Sequence, residues 1–477
     1  MPRLFFFCLG FFSFILCSGQ AFKINPVARD SSMYESPDKV IHNIQIVGNQ
    51  VTKSQIILRE LTFSKSDTLE NEAFIEALIQ SKKNLLNTSL FNFVKIDYAL
   101  LDPREVFIVI QVEERWYTFP LPIFEIDDNN FNTWWKDKDF SRINYGGLLV
   151  RNNFRGRKEK LSLIAQFGFT ERFRLQYEVP YINKSQKSGL KFKFSYNRRD
   201  EIVYTTLANE RLQYKDEDQD AVRNYAAGVD YTYRGAIFNQ HTLGFEYDFN
   251  SIVDTVAELN PNYLGRNQVE SQFISLYYNF THDNRDSRNY PLIGNYLSVS
   301  LRKYGLGLLG SEVDLTNFQF QAKKFWDLQK RFYFSSSIRG VIAANNNQPY
   351  LLQNGLGYSS SFNIRSYEYY VIDGQNIGLA KAQLRYQLVK PNSMQLDFVP
   401  VSRFNKFHYA FYLGLFSDIG YVEDNIGFPQ NDLANEVQYG LGISLDFVTY
   451  YDTVIRSEFS INKFGESGFF LHFVAPI

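Results

Sequence analysis

In Thr242 to Asn250 the residues Leu243, Phe245, Tyr247 and Phe249 fall on one face, and Thr242, Gly244, Glu246, Asp248 and Asn250 fall on the other. A period of two with one apolar and one charged side marks a β-strand between unlike surroundings. The pattern recurs in Leu190 to Asn197, where Leu190, Phe192, Phe194 and Tyr196 oppose Lys191, Lys193, Ser195 and Asn197. It recurs again in Gly378 to Leu388, where Ala380, Ala382, Leu384, Tyr386 and Leu388 oppose Lys381, Gln383, Arg385 and Gln387. A soluble sandwich also alternates, but it needs only about five or six residues per strand. These segments run longer, near the ~10 residues that a tilted strand needs to cross a bilayer.

About sixteen such segments can be counted, beginning near Tyr117, Ile143, Lys160, Arg172, Gly189, Arg223, His241, Ser271, Asn295, Glu312, Arg331, Asn376, His408, Val437, Thr453 and Gly468. An even number is what a closed antiparallel barrel with both ends on one side requires. The 361 residues from 117 to 477 leave about 22 to 23 for each strand and its connection. The connections alternate in length, as short turns on one rim and long loops on the other would. Arg157-Lys158, Ser185 to Ser188 and Asp327 to Lys330 are short and polar, while Asp200 to Ala221, Asp254 to Gln268 and Ala344 to Gln375 are long. The fold class expected is a transmembrane antiparallel β-barrel of about sixteen strands over residues 117 to 477.

Composition agrees. The chain of 477 residues holds 45 Phe and 32 Tyr beside 50 basic and 51 acidic residues. That argues against a helical membrane protein, which needs repeated runs of roughly 20 apolar residues. With 45% hydrophobic residues the chain can bury a core, and a net charge of -1 leaves no polybasic footprint for nucleic acid.

Arg3 followed by the almost wholly apolar Leu4 to Cys17 matches a secretory signal peptide, assigned to residues 1 to 21. Both cysteines, Cys8 and Cys17, leave with it, so the mature chain has no thiol for a disulfide, a zinc-thiolate site or a nucleophile. Residues 22 to 39 read as a linker. Residues 40 to 115 read as a small α+β module. Val40 to Val47 is a strand, and Thr52 with Gln55 forms a capping box for a helix to about Leu61. A second helix runs from about Glu70 to Leu86 with Ala73, Ala77, Leu78, Leu85 and Leu86 as its apolar stripe, and strands follow at Phe91 to Leu100 and Glu105 to Glu113.

The module, with Val47-Gly48-Asn49 after its first strand and Val112-Glu113-Glu114-Arg115 at its end, resembles a POTRA domain. Followed by sixteen strands, it resembles the outer-membrane assembly-factor superfamily that includes BamA, TamA and the bacterial surface-antigen barrels. Further matches are Asn153-Phe154-Arg155-Gly156, Val179-Pro180-Tyr181, and the turn residues Asp283, Arg285, Asp286, Pro291 and Gly294. The most specific are Ile364-Arg365-Ser366-Tyr367 in the longest loop and Gly414-Leu415-Phe416-Ser417-Asp418-Ile419-Gly420 in the thirteenth strand. The resemblance implies that Arg365 folds into the lumen and pairs with Asp418, with Tyr367 beside it. Strand parity independently places Gly414, Phe416, Asp418 and Gly420 inside. Two departures stand out: the family's Arg-Gly is Arg365-Ser366, and its second acidic partner is Gln383, which leaves one carboxylate for Arg365.

Glu466-x-Gly468-x-x-Leu471-x-Phe473 resembles the terminal signal of barrels handled by the assembly machinery. Pro120 and Pro122 would withdraw two N–H donors from one side of the first strand, weakening the seam where it meets the last. Alternatively, both prolines lie in the linker before the barrel.

Three functional classes follow. The first is a non-enzymatic assembly or insertion factor that takes unfolded barrel or secreted clients by β-augmentation, with outer-membrane lipid and accessory periplasmic or lipoprotein subunits as partners. The second is a polypeptide secretion pore of the same superfamily, and a lipid-handling or structural role stands beside it. The third, an enzyme, lacks support: Gly357-Tyr358-Ser359-Ser360-Ser361 falls short of a nucleophile elbow. His42, His241, His282, His408 and His472 show no catalytic or metal-ligand spacing, and no cofactor is expected. The resemblance implies the outer membrane of a Gram-negative bacterium, with the module in the periplasm. A single module favours an accessory or lineage-specific member over the core machine.

Overall fold

The dyad segments become strands wherever both faces find their solvent. In the computed structural model, residues 38–126, 140, 142–216, 218–309, 312–345, 348–357, 362–395, 406–427, 430–449 and 453–473 are described. The segment expected to be a signal peptide and most of the expected linker lie outside them.

The N-terminal domain has strands β1 (Lys39–Val47), β2 (Thr68–Leu69), β3 (Phe91–Leu100) and β4 (Glu105–Glu114), in the order β2-β1-β4-β3. β1 runs parallel to β4, and β3 is antiparallel to it. Helices α1 (Ser54–Leu58) and α2 (Asn71–Asn87) cover one face. Ile41, Ile56, Ile57, Phe74, Leu85, Phe91, Val106, Ile108 and Ile110 form its core. α2 turns Phe74, Leu78 and Leu85 inward together with Ser81 and Asn84, while Ala73 of the expected stripe is exposed. The polar pair is satisfied: Thr62 N–H donates to Ser81 at 3.0 Å and Asn84 donates to the Glu60 carbonyl at 3.0 Å. A hydrophobicity count therefore finds Leu78 and Leu85, with Ala77 and Leu86 packed beside them, but takes Ala73 for Phe74 and passes over the two buried polar positions.

The second body is a sixteen-stranded antiparallel sheet. Its strands on the first half are β5 (Thr118–Ile126), β6 (Ile143–Phe154), β7 (Glu159–Gly168), β8 (Thr170–Val179) and β9 (Ser188–Arg199). A loop hairpin, β10 (Glu201–Leu207) and β11 (Glu210–Lys215), precedes β12 (Val222–Tyr233), β13 (Asn239–Ile252), β14 (Glu270–Asp283), β15 (Gly294–Tyr304), β16 (Leu315–Asp327) and β17 (Phe332–Ala343). A second loop pair, β18 (Asn354–Gly357) and β19 (Val371–Gly374), precedes β20 (Asn376–Gln395), β21 (Lys406–Glu423), β22 (Val437–Thr449), β23 (Val454–Asn462) and β24 (Ser467–Phe473). All sixteen wall strands begin within three residues of the starts read from the sequence.

The faces sort as the alternation requires. Leu413, Leu415, Ile419 and Tyr421 on β21 are exposed outward, and Phe416 and Asp418 are buried inward. No helix is long and apolar enough to cross a membrane among the described residues. The span is made by strands, whose backbone groups pair with their neighbours instead of with lipid. The sheet starts and ends on the rim that carries the N-terminal domain. On the far rim β10, β11, the short helix Asp254–Leu259 and Tyr350 pack into one apolar cluster. Loop-to-loop hydrogen bonds brace it: Thr206 to Asp373 at 2.5 Å, Asn209 to Asn431 at 2.8 Å, and Val371 N–H to the Asn209 carbonyl at 2.9 Å. The expected alternation of connection length is not strict, since Phe169 alone joins β7 to β8 on the far rim.

Candidate functional site

Loop 344–375, between β17 and β20, turns back into the lumen. Its Leu356, Phe362, Ile364, Tyr367 and Ile372 form a buried cluster with Val341, Ile377, Leu379 and Val422 of the wall. That cluster carries Arg365, 4% exposed, onto β21. The Arg365 backbone N–H and Nε donate to Asp418 Oδ2 at 3.1 and 2.8 Å, and Nη2 donates to Oδ1. The guanidinium carbon also lies 3.6 Å from the Phe416 ring centroid, a cation–π contact. Tyr367 is buried beneath the loop; its hydroxyl donates to the Tyr439 carbonyl at 3.3 Å and accepts from Lys463 N–H at 3.4 Å.

Gln383 is placed elsewhere. It donates to Ser444 Oγ at 3.0 Å and accepts from Arg385 at 3.3 Å, and no hydrogen bond or ion pair joins it to Arg365 among the described residues. The expectation of a single carboxylate for Arg365 is therefore corrected: Glu458 on β23 supplies a second, 3.7 Å from Nη1. Lys381 on β20 adds a second cation, 3.4 Å from Asp418. Inward parity on β23 was the signal for Glu458, but nothing local says how far around the wall Arg365 reaches.

Ser366 keeps the backbone that a glycine would favour, at φ 78°. Its Oγ is buried without a hydrogen-bond partner. Facing it, Gly440 has no room for a side chain, because a Cβ there would lie 2.2 Å from the Arg365 carbonyl oxygen. Left-handed backbone costs a non-glycine residue roughly 1 kcal/mol or more. Ser366→Gly is expected to stabilise the folded barrel by about 1 kcal/mol, seen as a higher temperature for loss of the compact band in unboiled SDS gels. A lowered temperature would show that the strain is compensated elsewhere.

The near rim docks the N-terminal domain through the turn motifs. Asn153 lies at the end of β6 and Gly156 in the β6–β7 turn. Asn153 Nδ2 donates to Thr52 Oγ1 at 2.8 Å, and Thr52 Oγ1 is 3.0 Å from the Tyr117 hydroxyl. This overturns the capping box: α1 starts after Lys53 with no side-chain cap, because the Thr52 hydroxyl is engaged at the junction. Gly156, at φ 70°, accepts at its carbonyl from Lys53 N–H at 2.9 Å, and a Cβ would lie 2.1 Å from the Val51 carbonyl oxygen. Glu114 accepts from the backbone N–H groups of Val51 and Thr52.

Glu60 forms the other half of the joint. It takes a bidentate pair from Arg234 at 2.6 and 2.9 Å, with Arg59 at 3.5 Å and Lys158 at 3.6 Å. Burial alone would raise its carboxyl, but Lys158, Arg234 and Arg59 outweigh that and hold it down to about 2. At the end of β14, Asp283 accepts two hydrogen bonds from the Arg285 side chain and one from its backbone N–H, and in the turn that follows Asp286 accepts the N–H groups of Ser287, Leu292 and Ile293. The Pro291 carbonyl accepts from Arg385 at 3.1 Å, and Gly294 opens β15 at φ 111°. The turn seats Tyr290 inside the wall, where its hydroxyl donates to Asp446 at 2.8 Å.

Pro120 and Pro122 both lie in β5, opposite Leu149 and Gly147 of β6. The Tyr117 carbonyl accepts from Asn152 N–H on the β6 side. In a strand the N–H and C=O of one residue point the same way, so odd residues of β5 face β6 and even ones face the sheet's open edge. Of the five edge-facing residues Thr118, Pro120, Pro122, Phe124 and Ile126, two have no N–H to offer. At the other end Asn462 N–H donates to the Glu466 carbonyl, which turns the backbone of Phe469, Leu471 and Phe473 to the edge and that of Gly468 toward β23. The Leu471 side chain is exposed, and that of Phe473 lies outside the described residues. β5 and β24 end the sheet, with no ladder between them among the described residues.

A sixteen-stranded membrane barrel with a small α+β domain on its starting rim and an arginine loop held in its lumen defines a class of outer-membrane protein. The chain belongs to the Omp85 superfamily: residues 153–449 match the Omp85 superfamily domain, and residues 39–115 match POTRA, the surface antigen variable number repeat. Among solved structures, CdiB from Escherichia coli is similar at 10% identity and TM-score 0.54, covering 91% of this chain and 75% of that one. BamA from Haemophilus ducreyi lacking POTRA domains 1-3 is similar at 15% identity and TM-score 0.49, covering 89% of this chain and 81% of that one. No curated protein sequence matches the chain.

Proposed function

We propose that this protein is a non-enzymatic assembly or insertion factor of the Gram-negative outer membrane, with its POTRA domain in the periplasm and unfolded barrel proteins as clients. The observation that carries the reading is the seam: β5 and β24 end the sheet with no ladder between them among the described residues, and Pro120 and Pro122 remove two donors from the β5 edge. An unpaired edge is a template for an incoming strand. A second edge is available on the POTRA domain at β3, ten residues long and paired, among the described residues, with β4 alone. A client strand added there would approach the rim on which the seam opens.

The lumen favours this reading over a secretion pore. A chain threading the lumen must displace Arg365 from Asp418 and part the braced loops of the far rim, whereas a strand entering the seam need disturb neither. Cysteines at Phe124 and Leu471, both exposed on the outer face, test it in a chain whose own cysteines lie only in the leader. Crosslinking that pair should block insertion of a barrel client into proteoliposomes, and reduction should restore it. Undiminished insertion through a locked seam would sink the proposal. Depletion followed by outer-membrane proteomics separates the classes: broad loss of barrel proteins fits an insertase, and loss of one surface protein with its precursor retained fits a dedicated route.

Replacing both prolines with valine should restore two donors at the edge. At about 0.5–1.5 kcal/mol per hydrogen bond, the double variant is expected to unfold at higher temperature and insert clients more slowly. Equal insertion rates would show that the seam's donors do not set the rate.

A further inference from the structure

We propose that Glu368, Glu458 and His472 form a binding site for a divalent transition metal, zinc by preference, that staples the lumenal loop to the last strand. Glu368 lies on the loop three residues after Arg365, Glu458 on β23 and His472 on β24. One ligand atom from each lies within 4.8 Å of the other two. His472 Nε2 is 3.0 Å from Glu368 Oε1 and 3.3 Å from Glu458 Oε2. All three atoms are buried, and none makes a hydrogen bond of acceptable geometry. Glu458 is 1% exposed, and its Oε2 is aimed into the cluster. Two carboxylate oxygens converging on one imidazole nitrogen need a positive charge between them, either a proton on Nε2 or a cation at the centre, and the cation would be coordinated by all three atoms at once.

The donor set selects the ion. One imidazole nitrogen with two carboxylates suits zinc and its first-row neighbours, whereas magnesium and calcium take oxygen ligands. Tetrahedral bonds of roughly 2.1 Å place ligand atoms about 3.4 Å apart, close to the two spacings seen. The charge also fits, since two carboxylates balance one dication. The nearby cations are already matched: Arg456 makes a bidentate pair with Asp446 at 2.7 and 2.9 Å, and Arg365 pairs with Asp418. Both arginines face the other oxygen of Glu458, at 3.6 and 3.7 Å, which leaves Oε2 for the metal. The His472 and Glu368 side chains keep 26% and 20% of their surface, so an ion has a way in although the ligand atoms themselves are buried.

Metal here would hold β24 from the lumen while its other edge forms the seam. Binding itself does not depend on what the seam admits, so the site stands or falls apart from the proposed function. The test uses full-length, tag-free protein, folded in detergent, stripped with chelator and titrated calorimetrically with zinc at neutral pH, with metal content measured after dialysis. One zinc per chain is expected in the parent. His472→Gln and Glu368→Gln should each weaken it by roughly a hundredfold or more, beyond the effect of losing an outer-shell contact. Glu368 is on the loop, so its variant should fold even if the strand variant does not. X-ray absorption should show one nitrogen and oxygen ligands around the bound ion. Equal zinc content in parent and both variants, or no stoichiometric binding, would overturn the site and leave His472 as an imidazolium between two carboxylates.

Discussion

Asp418→Ala should release the lumenal loop and cost the folded barrel about 3 to 5 kcal/mol, the range for stripping one partner from a buried ion pair. The argument rests on asymmetry. Asp418 is fully buried and compensates two cations at once, Arg365 through three hydrogen bonds and Lys381 at 3.4 Å. Removing it strands both, with only Glu458 left at 3.7 Å from Arg365. Arg365→Leu is expected to be milder, because Lys381 still neutralises Asp418. Truncating either partner should expose the loop to added protease at the Tyr369 turn, where the parent resists. The order is the discriminating outcome: if Arg365→Leu proves as costly as Asp418→Ala, Lys381 does not share the carboxylate. Thermal unfolding of both variants by unboiled gel migration, alongside proteolysis, reads stability and loop release separately.

What the sequence carried plainly was everything with a short period. A barrel strand between lipid and lumen must alternate, so each wall strand was legible within a few residues of its start, and β21 parity alone put Phe416 and Asp418 inside. Contacts set by closure of the sheet were not legible. Glu458 and His472 have the right parity, yet nothing local shows that a loop about ninety residues upstream in sequence would reach them. The two loop hairpins, β10–β11 and β18–β19, were read only as long loops. Thr52 was misread for the same reason: Thr-x-x-Gln has a local meaning as a cap, but a hydroxyl with partners on Tyr117 and Asn153 takes a nonlocal one. Arg365 and Tyr367 became legible only through resemblance, because a cation in a long polar loop has no periodicity to distinguish it. The Gln383 departure shows the limit of that route, since the missing carboxylate is supplied by a different strand.

Glu60 is where the same electrostatic reasoning governs the joint between domains. Its carboxylate is contributed by the POTRA domain and is surrounded by Arg59 of the same domain and by Arg234 and Lys158 of the barrel turns. Arg59 is held too, donating to the Gln186 and Arg234 carbonyls at 2.5 and 3.2 Å with its guanidinium 4.5 Å from the Tyr181 ring centroid. Glu60→Gln should therefore detach the domain while leaving the barrel's own unfolding temperature nearly unchanged, because the wall strands lose nothing. A carboxyl lowered from 4.5 to about 2 by docking contributes about 3 kcal/mol at neutral pH. The sign follows from the lowered value: the contribution is complete above pH 4.5 and is lost as pH falls toward 2. Distances between spin labels on α2 and on the β12–β13 turn should stay fixed from pH 8 to 5 in the parent and lengthen below pH 4, while Glu60→Gln should show the long distance at every pH. A variant that stays docked at neutral pH would mean that Thr52, Asn153 and Gly156 hold the joint without the ion cluster.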